Sequence, residues 1–529
     1  MRLDRPYRMY AAFAFAMVMI AIGLPLWWKT TQVYRAWLPS SEISSLADQT
    51  LVVPVAVRLL WSTSETESTA VSVVGVLRQQ LSRLWVHPKL LLKFNFDIEG
   101  LSLTQRSALD SARSLSDLDR IGAEPREWME RLELDFVVVP SELHLFEENN
   151  VYLGSANKVF VSKLNSAREL AQTVQQVLLE VCIDTNQLLS VVQRNLKERP
   201  LQNGTRQQDV WSASVQPRQA IDVYVVNPRP DLCDTSGLDL RLAVMPVMQP
   251  LTELVRPITE LVVKTEFLYG VRLQYTPEPR LNRSEYVIPD RALPLIVNPL
   301  EPHITTLEPG TPVHRLLVYI SPPEHSPLYV VDSDNRKSLS NSFAVAGWGG
   351  VAIFNADSAC QKPITGLSTE VLQALVVQTR VLLGISGLDD RDDLSSGAPL
   401  SGWELKRAGL RALVDNSLTS ISTLQSLLQL LYDIGNIVIS DEVAADIGAS
   451  VRSLHQVVRS LAAGDFGAAL EHSKLALNRS EKAFFDRSLL ALLYFPDDQK
   501  YAIYIPLFLP VGVPVVLSLR RVMSFFKDK

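Results

Sequence analysis

Three kinds of residue in this chain could do chemistry: a close pair of aspartates, seven histidines and three cysteines. Asp332-Ser333-Asp334 follows the strand-like run Leu328-Tyr329-Val330-Val331. Two carboxylates one residue apart after a strand can hold a divalent cation, and through it the diphosphate of a nucleotide sugar. The competing reading is a polar turn, because Asp and Ser, with Asn335 next, bond their own backbone and close strands. D-x-D constrains so little that the turn is favoured. The histidines, His87, His144, His303, His314, His325, His455 and His472, are scattered. None stands in an H-E-x-x-H or other paired ligand spacing, and no C-x-x-C occurs. Neither a G-x-S-x-G elbow nor a P-loop is present. Cys182, Cys233 and Cys360 permit one disulfide at most, and Cys182, in a helical stretch, reads as a small buried apolar group. A Cys–His pair assembled across the fold stays open at this level. No catalytic residue, cofactor-binding residue or metal ligand is assigned.

The elements at the two ends decide where any such chemistry takes place. Met9 to Trp28 and Tyr501 to Leu519 are near-continuous apolar runs, each of the roughly 20 residues that cross a bilayer core as a helix. The first run is longer than the about 7–15 residues of a secretory signal and ends in Trp27-Trp28-Lys29, an interfacial pair rather than a cleavage site. Arg520, Arg521, Lys527 and Lys529 follow the second run, whereas Asp497 and Asp498 precede it, so the C-terminus reads as cytoplasmic. Two spans put the N-terminus, with Arg2, Arg5 and Arg8, on the same side and the whole body on the other. Three sequons suit that placement and make Asn203, Asn282 and Asn478 candidate glycosylation sites. Neither run contains Asp, Glu, Lys, Arg or His, which argues against transport or proton relay. A net charge of −6 gives no sign of a nucleic-acid surface.

Between the spans the pattern reads as a mixed α/β (α+β) body with a helical C-terminal part. The expected organisation is a tail (1–8), a span (9–28), an α/β unit (29–237), a strand-rich unit (238–365), a helical unit (366–500), a span (501–519) and a tail (520–529). Strands are expected at Leu51–Val57, Leu90–Ile98, Leu132–Val139 and Ala220–Val226, with helices at Val71–Trp85 and Ala167–Val181. Strands follow at Phe267–Tyr275, Tyr286–Ile288, His314–Ile320, Leu328–Val331 and Gly350–Phe354, beside a helical stretch Val247–Val263 that Pro257 should kink or divide. Ser401-Gly402-Trp403-Glu404 is a capping box with Leu400 and Leu405 as its staple. Val414, Ile421, Leu424, Leu428 and Leu431 then mark a buried helical stripe, and helices are expected at Asp441–Ala463 and Ser480–Leu493. Asp389-Asp390-Arg391-Asp392-Asp393 reads as a solvated connector, and no internal repeat is evident.

The second span carries Pro506, Pro510 and Pro514. Each lacks an amide hydrogen, so the carbonyls of Ala502, Pro506 and Pro510 lose their helical donors along one stripe. An unpaired carbonyl in hydrocarbon costs several kcal/mol. The stripe should therefore face protein or water. Ala12, Ala16 and Gly23 give the first span a face for close approach. Together these features favour a subunit of a larger membrane assembly.

The terminal segments carry a specific resemblance. Gly23-Leu24-Pro25-Leu26-Trp27-Trp28-Lys29-Thr30-Thr31 with Tyr34-Arg35-Ala36, then Ser480-Glu481-Lys482-Ala483-Phe484-Phe485-Asp486 and Leu493-Tyr494-Phe495-Pro496-Asp497-Asp498, resemble the signatures of the PIG-S family. His325-Ser326-Pro327-Leu328-Tyr329, Trp348-Gly349-Gly350 and Ile434-Gly435-Asn436-Ile437-Val438-Ile439 also fit. The resemblance implies a non-catalytic scaffold subunit of the glycosylphosphatidylinositol (GPI) transamidase complex of the endoplasmic reticulum membrane. It implies PIG-K, PIG-T, PIG-U and a Gaa-type subunit as partners, with the catalytic nucleophile in PIG-K. The alternative is a lumenal membrane-anchored glycosyltransferase using the D-x-D site.

Overall fold

The computed structural model describes Asp4 to Lys527 except residues 24, 26–28, 30–33, 122–128, 141–149, 155–157, 163–165, 197–214, 274, 281–283, 290–291, 294, 296–310, 332–333, 339, 346–347, 357–359, 361, 386–399, 435–436 and 492–496. It is a mixed α/β body with a helical C-terminal region. Two compact units make it up: residues 1–45, 423–451 and 479–529 form one, and residues 46–422 and 452–478 the other.

The chain opens with helix α1 (Asp4–Val18), continues through a π-helical turn (Met19–Gly23) and enters α2 (Ser40–Asp48). The first sheet then forms from β1 (Leu51–Trp61), β2 (Arg83–His87), β3 (Leu90–Gly100), β4 (Glu133–Val139), β5 (Val151–Leu153) and β6 (Lys158–Ser162). Its order is β2-β3-β1-β4-β6-β5; β3, β1, β4 and β6 run parallel, while β2 and β5 close the edges antiparallel. α3 (Ser64–Gln80) links β1 to β2, α4 (Leu103–Ser111) follows β3, and α5 (Ala167–Val177) and α6 (Thr185–Asn195) follow β6. Val53, Val55, Val57 and Leu59 on the helix-facing side of β1 pack with Val73, Val74 and Leu77 of α3, all at most 2 % exposed. The helix expected at Val71–Trp85 is thus displaced. It begins at Ser64 because Thr63 and Thr66 form a reciprocal cap, and it ends before Trp85, which belongs to β2.

A second sheet begins at β7 (Arg218–Asn227), crosses through α7 (Leu240–Val255) to β8 (Glu260–Tyr269), and includes β11 (Val313–Ile320), β13 (Ser342–Val345) and β14 (Gly349–Phe354). Between β8 and β11 the chain forms β9 (Glu278–Arg280) and β10 (Glu285–Pro289), which join β12 (Leu328–Val331) in a separate three-stranded sheet. The helix expected to reach Val263 stops at Val255. A turn containing Pro257 follows, and the β-branched Val262, Val263 and Thr265 go into β8 instead. Pro246 and Pro250 sit inside α7.

The parallel strands of the two sheets share one order. Numbered along the chain, each sheet reads second-first-third-fourth, β3-β1-β4-β6 and β8-β7-β11-β14. In each, the strand just before the fourth folds back antiparallel on the far edge, β5 on β6 and β13 on β14. This is a repeat of topology that no residue pattern announces. The second sheet is also stapled by a disulfide between Cys233 and Cys360.

Helices dominate from α8 (Thr369–Leu382) onward: α9 (Gly402–Asp433), α10 (Asp441–Ala463), α11 (Phe466–Phe484), α12 (Arg487–Ala491) and α13 (Asp497–Lys527). The helix expected over Ser480–Leu493 is broken, because Asp486 accepts bonds from the Ser488 amide (2.8 Å) and hydroxyl (2.6 Å) and so starts a new turn. At the start of α9 the Glu404 carboxylate receives the Ser401 amide at 2.9 Å, with Leu400 and Leu405 both buried. Farther along, Val414, Leu424 and Leu431 of the expected stripe are buried while Ile421 and Leu428 are only half-buried. Among the described residues no helix is long and apolar enough to cross a membrane. The spans expected at the chain's ends therefore stand on the sequence, although α1 and α13 do pack against each other.

Candidate functional site

Among the described residues, those singled out for chemistry form no metal-holding cluster. Asp332 and Ser333 lie outside the described residues, as do His144, His303, Trp27, Trp28 and the acidic stretch 389–393. Asp334 sits in a turn, its side chain 68 % exposed and 4.0 Å from Arg336. Asn335 adopts φ 62°, the left-handed conformation in which asparagine serves as a turn residue. These features fit the strand-closing turn. Among the described residues no group of three or more His, Cys, Asp or Glu side chains could hold a metal ion.

The sulfur atoms are chemically quiet. Cys233 and Cys360 are joined to each other, and burial pushes the Cys182 thiol up to about 12. A nucleophilic cysteine needs the opposite, a depressed pKa in an accessible electropositive setting. His314 stands on β11, where burial lowers it to about 4 and Nε2–H donates to Gln219 Oε1 on the neighbouring β7 at 2.6 Å. It is neutral at physiological pH. His325 stands edge-on to Tyr286, ring centroids 5.1 Å apart, and His87 Nδ1 accepts from the Lys89 amide at 3.2 Å.

The motif residues hold strands together. The Ser326–Pro327 peptide is cis and leads directly into β12. Asn355 donates to the Leu328 carbonyl (3.0 Å) and accepts from its amide (2.8 Å), replacing a neighbouring strand. Asn341 accepts from the Val330 amide at 3.0 Å and donates to the Leu328 carbonyl at 3.0 Å. Across Trp348-Gly349-Gly350, Gln378 of α8 donates to the Val351 and Phe343 carbonyls at 2.9 and 3.1 Å. A Cβ on Gly350 would meet its Oε1 at 2.4 Å, so β14 and α8 approach here only because that position has no side chain. Sequence reading missed Asn341, Asn355 and Gln378. A lone amide side chain beside a strand carries no spacing signal.

The N-terminal part of α9 is locked to the first sheet's layer by charged and polar side chains. Asp415 of α9 accepts from Arg194 and Asn195 of α6, both at 2.8 Å, and Asn195 accepts from Thr419 at 2.7 Å. Arg407 and Arg411 donate to the carbonyls of Val181 (3.0 Å) and Gly384 (3.1 Å), at the C-terminal ends of helical segments where a cation is favoured. Within the first sheet Arg58 grips Asp135 through two bonds, 2.8 and 3.1 Å, and Lys158 donates to the Ile121 carbonyl at 3.0 Å.

In the unit that contains both ends of the chain, the segment after the first apolar run is stitched to the α9–α10 connection. Ala36 donates to the Ile439 carbonyl, Ile439 to the Tyr34 carbonyl, both at 3.1 Å, and Tyr34 Oη to Asp441 at 2.7 Å. Arg479 and Lys482 of α11 pair with Asp446 of α10 at 2.7 and 2.8 Å. The Tyr34-Arg35-Ala36 and Ile437-Val438-Ile439 motifs, distant in sequence, thus form one structural joint. Of the sequon asparagines, Asn203 and Asn282 lie outside the described residues, and Asn478 is exposed on α11.

Comparison with known proteins gives full-length similarity. The family model for phosphatidylinositol-glycan biosynthesis class S protein matches residues 14–529. The chain is 32 % identical to the human GPI-anchor transamidase component PIGS, covering 97 % of this chain and 94 % of that one. It is equally 32 % identical to the Bos taurus protein of that name, over the same shares. The similarity to the Schizosaccharomyces pombe GPI transamidase component PIG-S homolog is 21 % over 99 % of this chain and 86 % of that one.

Proposed function

The chain belongs to the PIG-S family, and from that premise we propose that it serves as a non-catalytic subunit of the GPI transamidase complex, which joins preformed GPI anchors to precursor proteins. The observation that carries this reading is the extent of the similarity, which takes in both ends and the body. The paired Cys233 and Cys360, the buried Cys182 and the neutral, half-buried His314 support an accessory role, since none is poised as a nucleophile or base. Catalysis then belongs to another subunit, PIG-K, with PIG-T, PIG-U and a Gaa-type subunit as further partners. The glycosyltransferase alternative has nothing in its favour beyond Asp334 in an exposed turn.

In this reading the chain crosses the endoplasmic reticulum membrane twice, at 9–28 and 501–519, with both tails cytoplasmic. The bodies 29–237, 238–365 and 366–500 lie in the lumen. A disulfide between residues far apart in the body supports that side of the membrane, because such bonds persist in the oxidising secretory lumen and are rare in cytosol. Affinity purification in mild detergent tests the assignment. Stoichiometric recovery with the other transamidase subunits is expected, and recovery of the chain alone would refute it.

Two further outcomes follow from the same reading. Asn203, Asn282 and Asn478 receive glycans, and Asn478→Gln is expected to remove one endoglycosidase-H-sensitive step on a gel. An unshifted band would remove Asn478 from the set. In the second span Pro506, Pro510 and Pro514 are all exposed, whereas Ala16 on α1 is only 3 % exposed. In this reading the freed carbonyls are met by a donor-bearing helix of a partner. Replacing all three prolines by leucine is expected to reduce co-purification of the multi-span partner several-fold; unchanged recovery would refute that use of the stripe.

A further inference from the structure

Exposed aromatic rings gather in the unit that carries both ends of the chain. Among the described residues outside α1 and α13, the exposed large aromatic side chains are Tyr34, Trp37, Trp85, Tyr269, Tyr432 and Phe485. Four of these six, Tyr34, Trp37, Tyr432 and Phe485, belong to that unit, although it contributes little more than residues 34–45, 423–451 and 479–491 to the body. Trp37 is 79 % exposed and Tyr432 88 %. Single exposed apolar residues are ordinary on a surface, but a cluster of large ones marks a contact.

The helices bring the four to a common end. Arg479 and Lys482, late in α11, pair with Asp446, early in α10. Those two helices therefore run antiparallel, and Phe485, just past α11, lies at the end where α10 begins. α9 arrives at the same end with its last turn, which carries Tyr432 and is joined to α10 by residues 434–440. The stretch from Tyr34 to Trp37 is fastened there too. Arg35 donates to the Leu431 carbonyl, and Tyr34 Oη donates to Asp441, the first residue of α10.

Both apolar runs join the unit at this end. Tyr34 stands six residues after Trp28, the last residue of the first run, and an extended chain of that length spans at most about 20 Å. From Phe485 the chain passes through the short α12 to α13, which contains the second run. With both runs in the bilayer, the lumenal headgroup layer, about 5–8 Å deep, is the nearest boundary between apolar and polar surroundings. Residue type agrees with that location. Trp and Tyr settle at membrane–water interfaces because the ring faces the acyl chains while the polar atom stays wet. Exposed charges at this end are of both signs, Asp433 and Glu442 with Lys482 and Arg487, so nothing there selects anionic lipid.

We propose that Tyr34, Trp37, Tyr432 and Phe485 insert into the headgroup layer of the lumenal leaflet and hold this end of the unit against zwitterionic phospholipid. The inference rests on the two-span reading and adds to it an attachment to the membrane's surface. A segment of a partner subunit is the competing occupant, and the short tether between Trp28 and Tyr34 leaves little room for one.

The natural cysteines offer no accessible thiol, since Cys182 is buried and Cys233 is bonded to Cys360. Tyr432→Cys, and separately Trp37→Cys, therefore provides one position for an environment-sensitive fluorophore, with Leu242→Cys, exposed on α7 of the other unit, as control. The full chain with its co-purified subunits is reconstituted in phosphatidylcholine nanodiscs that carry a spin label near the lipid headgroup. Quenching at 37 and 432 at least fivefold stronger than at 242 is the expected result. Quenching no stronger than at 242 would overturn the proposal. So would quenching seen in the chain alone and lost when the other subunits are bound, because a protein would then be the occupant. Trp37→Ser combined with Phe485→Ser should lower quenching at 432 at least twofold; an unchanged value would show that the spans alone set the height of this end, and would also overturn it. Alkaline carbonate extraction of wild-type membranes is read separately: release of the chain would refute the two-span reading itself, and the proposal with it.

Discussion

Gly349→Ala is expected to destabilise the chain by about 4 kcal/mol or more, among the largest effects a single methyl group can have. Gly349 lies opposite Arg315 in the parallel β11–β14 ladder and opposite Val345 in the antiparallel β13–β14 pair. A Cβ built there falls 1.9 Å from the Arg315 carbonyl oxygen and 2.8 Å from its carbon. The obstruction is backbone held in a ladder, so no rotamer change relieves it. The two strands must separate or the residue must leave the sheet. Gly350→Ala meets the Gln378 side chain instead, which can shift at the cost of two bonds to carbonyls. A smaller loss of about 1–3 kcal/mol is expected there. Urea unfolding of the detergent-solubilised full chain measures both. Equal midpoints for Gly349→Ala and wild type would contradict this account of the motif.

Glu404→Ala is expected to cost about 3–5 kcal/mol, because it leaves a buried guanidinium without its carboxylate. Arg380 and Glu404 meet at 2.5 Å with side chains 9 % and 4 % exposed. The same carboxylate receives the Ser401 amide and hydroxyl at 2.9 and 2.7 Å, so one side chain caps α9 and pins it to α8. Burial pushes this carboxyl up, but Arg380 and the two Ser401 donors more than offset it and hold it below the usual range. Its folded pKa is therefore depressed. The stabilisation is fully present above the unfolded value of about 4.3 and is lost as pH falls through the lower folded value. The stability gap between wild type and Glu404→Gln should accordingly be constant near neutrality and close below about pH 4. A gap independent of pH down to unfolding would show that the carboxylate's charge is not what matters.

Fold class is legible wherever one rule governs a segment. The strands at Leu51, Leu90, Leu132, Ala220 and His314 show in the sequence because apolar or alternating runs there match the strand period, and Ser401-x-x-Glu404 announces the start of α9. Reading fails where a local cap or a turn overrides composition. Thr63 and Thr66 draw the Ser/Thr-rich segment into α3, and the turn at Pro257 sends Val262 and Val263 into a strand. The pairing of Cys233 with Cys360 and the recurrence of strand order are relations between distant positions, which no window of sequence contains. For the candidate site, the motifs point to the right residues without revealing what those residues do, since Gly349, Gly350 and Ser326-Pro327 shape strands. The polar side of β3 stands in plain view, as Lys93, Asn95, Asp97 and Glu99 alternating with Phe94 and Phe96. Alternation is ordinary in an antiparallel sheet. It becomes informative only once β3 is known to run parallel to β1.

The bond between Cys233 and Cys360 spans 127 positions, and β8 to β14 all lie between its ends. During synthesis from the N-terminus at about 5–20 residues per second, the first sulfur waits roughly 6–25 seconds for the second to be made. Throughout that interval the nascent chain holds Cys233, together with the earlier Cys182, without the partner it bonds in the finished fold. Only when the final strand has emerged can the pair close, so the bond is a time stamp on biogenesis. A chain truncated anywhere between the two would carry a mark by which the cell could tell it from a finished one.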